Sequence, residues 1–268
     1  MIDILQHQFM QNALIAGIML SIVLAVVSFF VVLRRYAFIG VGIAHSAFGG
    51  VAIGSLFGIP PILAAIVFAG IVANAISFVS KQKRIGVDTA IGIFFSLAMA
   101  IGVICIGLSD VYNTDLFGYL FGNILAISRW DLAIIAGLGG AILLSVFLFF
   151  KELLFIAFDP EVALVSGMPV TFLDHFFLTI LAITIVISIK ITGIILVSAL
   201  LVIPGAAAAQ LFNHYSRIIV ASIGIALFST VGGLVISCYL NIASGATIVV
   251  LASIVFFISF AIGKIRKH

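Results

Sequence analysis

The charges of this chain cut it into apolar runs, and the lengths of those runs constrain the fold more than any motif does. Residues Ala37 to Gly58 read AFIGVGIAHSAFGGVAIGSLFG, 22 residues without Asp, Glu, Lys or Arg. A helix of that length crosses the hydrocarbon core of a bilayer. Comparable runs are Phe9–Leu33, Ile62–Ser80, Val87–Leu108, Leu132–Phe150, Phe172–Ile189, Gly193–Phe212, Tyr215–Leu240 and Ala246–Gly263. With 65% hydrophobic and 8% charged residues, the composition lies far from the 45–50% and 25% of a soluble domain. The expectation is an all-α polytopic membrane protein with about nine transmembrane helices, eight being the alternative count. All of 1–268 is read as a single membrane domain, because no interval between runs is long enough for a soluble one.

Charge placement orients the map. Arg34, Arg35, Lys81, Lys83, Arg84, Lys151, Arg217, Lys264, Arg266 and Lys267 fall on one side, leaving only Arg129 and Lys190 on the other. The positive-inside rule then places the N-terminus outside and the C-terminus in the cytoplasm. The net charge of +3 and pI near 9.0 thereby become anchoring to membrane lipid rather than nucleic-acid binding. The 13 residues LFGYLFGNILAIS, 116–128, are too short to span and read as a re-entrant or interfacial helix. Arg129-Trp130-Asp131 would mark the membrane edge, and Lys190 an outer anchor whose head snorkels to water.

Within the Ala37–Gly58 run, Gly42, Ser46, Gly50, Gly54 and Gly58 recur at every fourth position and share one broad face. Small residues let transmembrane backbones approach closely where lipid supplies no hydrophobic drive. His45 lies mid-span beside that face. An intramembrane imidazole is costly to desolvate, so a functional group and a neutral ring bonded to a neighbouring helix are both open readings. Farther on, Ser198 and Pro204 interrupt KITGIILVSALLVIPGAAAAQL, where a proline frees a backbone carbonyl that protein or a cavity must satisfy. That pattern suits a gate along a pathway and suits a static kink.

One segment is written as a soluble helix. In KELLFIAFDPEVALVSGMPVTFLDH, from Lys151, Asp159 offers an N-cap carboxylate, Pro160 a first-turn proline and Glu161 a first-turn acid. Gly167 supplies the C-cap and Pro169 forbids continuation. The resulting two turns are too short to be stable alone in water. They must dock, and Val162, Leu164 and Val165, with Phe155 and Phe158 before them, supply the surface. A partner protein and the chain's own membrane domain are the two candidate docks.

Several chemistries are missing. There is no GxxxxGK[ST] loop for ATP and no HExxH, GxSxG or CxxC. The nine acids fall outside the spans or at their edges, unlike the intramembrane carboxylates of a proton or sodium carrier. Cys105 and Cys238 read as buried small hydrophobes, and MIDILQHQFMQ lacks the basic start of a removable leader.

RRYAFIGVGIAHSAFGGVAIG, DTAIGIFFSLAMAIGV, LFGYLFGNILAISRWDL, FDPEVALVSG and TGIILVSALLVIPGAAAA together resemble the permease subunits of ABC importers for zinc, manganese or iron. The resemblance implies a fold similar to the vitamin-B12 type of importer permease, a homodimer around a central path in the cytoplasmic membrane of a prokaryote. It implies a cytoplasmic ATPase dimer carrying ATP and Mg, and an extracellular or periplasmic metal-binding protein. The chain would be no enzyme and hold no permanent cofactor; its cargo would be Zn, Mn or Fe. The segment at about 151–171, with Asp159, Glu161, Ala163 and Gly167, would couple to the ATPase, and His45 would meet the metal. Two positions depart from the family pattern. Val41 stands where many members carry an Asp four residues before the histidine, and Ala243-Ser244-Gly245 replaces a Pro-Ser-Gly turn. The first departure opens an alternative, import of a haem or corrinoid chelate. A stand-alone secondary carrier or channel is the competing class.

Overall fold

The computed structural model describes residues 8–80, 85–108, 127–240 and 242–266. Lys81, Lys83, Arg84, the polar loop before residue 116, most of the segment read as re-entrant, and the last two residues lie outside that set. The described residues form helices and connections: α1 (Gln8–Leu33), α2 (Ala37–Phe57), α3 (Pro61–Ser80), α4 (Val87–Leu108), α5 (Arg129–Leu148), α6 (Phe150–Phe158), α7 (Pro160–Val165), α8 (Val170–Leu200), α9 (Ile203–Leu211), α10 (Tyr215–Leu240) and α11 (Ser244–Arg266).

Eight helical stretches are long and apolar enough to cross a membrane, the longest covering Val170–Leu211. That stretch crosses twice. Near its start Asp174 pairs with Arg34 at the end of α1, whereas Lys190 pairs at 2.6 Å with Asp131 at the start of α5. Asn12, at the other end of α1, donates to the Ile127 carbonyl just before α5. By Gly205 the chain is back beside Ser28, its N–H donating to the Ser28 hydroxyl at 3.0 Å. The reversal occurs at Gly193, whose φ of 78° and ψ of 163° belong to a region open to glycine almost alone. The described residues therefore make nine crossings.

One end of the bundle is basic. Phe30, four residues before Arg34, stacks edge-on with Phe150 beside Lys151, and Phe150 meets Tyr215 two residues before Arg217. Gly263, next to Lys264, packs against the carbonyl of Gln210. The opposite end holds Arg129 and Lys190, the latter shared with Asp131 rather than free as a snorkelling anchor. Asp131 also closes a capping box with Ser128, which starts α5.

Burial ranks the helices. α2 and the α8–α9 stretch are mostly buried, whereas α4, α5 and α11 leave most of their length at least partly exposed. Hydroxyls serve as interhelical glue: Ser21 with Thr230 at 2.6 Å, and Ser222 donating to the Ala25 carbonyl. The run read as Leu132–Phe150 ends earlier than expected. α5 stops at Leu148, Phe149 breaks the helix, and α6 carries the chain on to Phe158.

Candidate functional site

α2 is wedged between α3 and α4 along its glycines. A Cβ on Gly50 would stand 2.6 Å from the Ala65 Cα, and one on Gly54 2.9 Å from the Pro61 Cα, both on α3. A Cβ on Gly42 would lie 2.8 Å from Ile91 on α4. Ser46 is fully buried and returns its hydroxyl to the Gly42 carbonyl at 2.8 Å. Gly58 ends the helix in the left-handed region, its N–H donating to the Gly54 carbonyl. The small-residue face thus divides between two partners. Sequence reasoning missed Gly49 and Gly102, the closest meeting of α2 with α4: a Cβ on Gly49 would sit 2.5 Å from the Ala98 carbonyl oxygen. Their signal was spacing across two runs, which no single run displays.

His45 is half-buried on this helix. Its Nδ1 lies 2.9 Å from the Val41 carbonyl, which can only accept, so Nδ1 carries the proton. The ring meets Phe95 of α4 edge-on, centroids 5.1 Å apart. With Nδ1 engaged this way, Nε2 is the ring atom left to meet a ligand, the arrangement seen in metal-binding histidines whose other nitrogen donates to a carbonyl. Val41 contributes only its backbone. Among the described residues no three His, Cys, Asp or Glu side chains group to hold a metal. His45 is thus the imidazole of α2 and belongs to no cluster of three such ligands among the described residues.

The six-residue α7 is capped at both ends. Asp159 accepts from the N–H groups of Glu161 and Val162 at 3.1 and 3.0 Å, with Pro160 in the first turn. At the other end Gly167 has φ 82°, its N–H reaches the Leu164 carbonyl, and Met168 N–H reaches the Ala163 carbonyl. That pair of bonds is a Schellman motif. Ala163 is fully buried with Ile156 and Leu173. Val162, Leu164 and Val165 are exposed, Val165 to 90%, as is Phe158. Both docks named from the sequence are thus relevant: the small face rests on the chain's own helices, and the larger apolar face is uncovered. Glu161 is exposed on the same peg.

No hydrogen bond or ring contact joins Ser198 or Pro204 to His45 among the described residues, although Leu201, three residues past Ser198, lies against Gly40 of α2. The Ser198 hydroxyl is sealed from solvent without a hydrogen-bond partner. Pro204 sits in the first turn of α9, after a break at Leu201–Val202, where a missing N–H costs nothing. It begins a helix rather than kinking one.

Two polar clusters escaped sequence reasoning. Arg34, 4% exposed, bonds Asp174 at 3.0 Å and lies over the rings of Phe177 and Tyr36, 5.0 and 5.9 Å from their centroids. Burial, with the Asp174 charge adding to it, pushes the Tyr36 phenol up, so the hydroxyl stays neutral. His175 Nδ1 stands 2.6 Å from Asn74 Oδ1, beside an open groove of about 500 Å³ lined by Ile66, Val67, Gly70, Ile71, Asn74, Thr179 and Ile183.

The ABC 3 transport family matches residues 6–263. The chain belongs to that family. It is 38% identical over 257 residues to the manganese transport system membrane protein MntC of Listeria monocytogenes, covering 96% of this chain and 91% of that one. It is 33% identical over 248 residues to the high-affinity zinc uptake system membrane protein ZnuB of Haemophilus influenzae, covering 92% and 95%. In three dimensions it resembles PsaBC from Streptococcus pneumoniae, solved in complex with Fab, at a TM-score of 0.87 and 39% identity over 97% of this chain and 94% of that one. This family member is a multi-pass permease of the metal-ion importer type.

Proposed function

We propose that the chain is one of two identical permease subunits of a binding-protein-dependent ABC importer for a divalent transition metal. Manganese is favoured over zinc by the higher identity to MntC than to ZnuB. An extracellular or periplasmic metal-binding protein delivers the ion to the unbasic face, and a cytoplasmic ATPase dimer, carrying ATP and Mg, docks on the basic one. Positive charge on inner loops then sets the N-terminus outside and the C-terminus inside the cytoplasmic membrane. The whole chain acts as one membrane domain, with 151–171 as its coupling segment.

One observation carries the reading: α7 is rigidly capped and yet leaves Val162, Leu164 and Val165 uncovered at the basic end. A short helix with an apolar face laid bare fits the groove of a partner protein. Asp159 and Gly167 hold the peg's shape, Ala163 seats it, and Glu161 with the apolar residues meets the ATPase. On the pathway, two-fold symmetry brings two His45 rings, each presenting Nε2, to one ion. Two imidazoles bind a transition metal without trapping it, as transport requires. Gly42, Ser46, Gly50 and Gly54 keep α2 close enough to α3 and α4 to hold those rings in place.

The test is metal uptake into vesicles containing the permease and its partner ATPase. Parent protein takes up manganese only with ATP, His45→Ala loses at least ten-fold of that rate, and Val165→Glu abolishes ATPase binding. Uptake in the absence of any ATPase would overturn the importer reading. Parental uptake by His45→Ala would remove the histidine from the path.

A further inference from the structure

Resting on the coupling reading of α7, we infer that Arg34 and Asp174 are the positioning pair that carries movement of the peg to the helix bearing His45. The contacts run without a gap. Ala163 of α7 packs with Leu173 in one small cluster. The next residue, Asp174, holds the Arg34 guanidinium at 3.0 Å. Arg34 opens the three-residue link between α1 and α2, in which Arg35 takes φ 59° and Tyr36 stands at the N-cap of α2. Phe177, one turn beyond Asp174, lies against both Arg34 and the Tyr36 ring, 6.4 Å between ring centroids. The first turns of α8 therefore grip the link from which α2 departs. His45 is nine residues from Tyr36, about 13 Å along a helix axis.

The chemistry of the joint suits a part with two positions. The guanidinium is buried, yet its Nε and Nη2 have no hydrogen-bond partner. With Nη1 on Asp174 and the Phe177 and Tyr36 rings against it, the guanidinium is gripped from α8 on one side and from the start of α2 on the other. A planar fork sliding between Phe177 and Tyr36 can re-register on a carboxylate while the rings still shield it.

A buried ion pair can be replaced by apolar residues of similar size with little or favourable effect on stability, whereas losing one partner is damaging. The double variant Arg34→Met with Asp174→Leu therefore separates folding from coupling. In vesicles with the partner ATPase, it is expected to melt near the parent temperature and retain ATP hydrolysis. Manganese ions moved per ATP should fall at least ten-fold. Arg34→Lys, which keeps the charge but not the planar fork, should lower the same ratio by about three- to ten-fold. A parental ratio in either folded variant overturns the inference. Absence of ATP-driven uptake in the parent would instead indict the importer reading, so the two failures are distinguishable.

Discussion

Substituting Gly50 by alanine tests whether α2 is held by backbone contact. The added Cβ would lie 2.6 Å from the Ala65 Cα, 3.0 Å from the Phe68 Cβ and 3.1 Å from the Ala64 carbonyl oxygen. Carbon atoms rest at about 3.5–4.0 Å, so α2 and α3 must part by roughly 1 Å. Two of those three atoms are backbone and cannot turn aside. Overpacking of this kind costs about 1–3 kcal/mol. At about 2–4 °C per kcal/mol for a chain of this size, the apparent unfolding temperature in detergent should drop by roughly 2–12 °C. Gly70→Ala, on α3 with nothing within 4 Å of its Cβ, is the control. It should melt at or above the parent, since alanine is the better helix former by about 1 kcal/mol. His45 lies five residues from Gly50, so the displacement should also slow manganese uptake. Equal melting temperatures for Gly50→Ala and parent would refute the claim that close approach holds this helix.

Gly193→Ala should be as harmful for a different reason. Its φ and ψ exclude an L side chain at a cost of order 1–3 kcal/mol, so the α8 hairpin should melt about 2–12 °C lower while Gly92→Ala stays neutral. Asp159→Ala removes the acceptor of two N–H groups, a loss of about 0.5–2 kcal/mol. Amide exchange across Pro160–Val165 should quicken by roughly 2–30-fold, with global melting unchanged; unaltered exchange would show that something other than the cap holds the peg.

Much of the fold is one-dimensional information. Crossing a bilayer demands about 20 residues without charge, and that demand is met or failed within each run. Hence the apolar runs, including the fresh one that begins at Gly193, and the basic edges were legible from residue order. The peg was equally legible, because Asp159, Pro160 and Gly167 act on their own backbone or that of immediate neighbours. The break at Phe149 was not. Nothing local marks it, and α6 exists because Leu153 and Ile156 find burial against other helices.

Glycine spacing announced that α2 would be crowded, but not that Gly50 faces α3 while Gly42 and Gly49 face α4. His45 was visible as a residue; the bond from its Nδ1 to the Val41 carbonyl and its edge-on contact with Phe95 required the structure. The pairs that decide the interior join residues far apart in the chain, Arg34 with Asp174 across 140 positions and Ser28 with Gly205 across 177. Sequence determined where this polypeptide enters and leaves the membrane, because desolvation penalises each charge wherever it stands. Tertiary structure decided which distant polar groups meet inside, because only packing can bring a buried donor to an acceptor beyond its own helix.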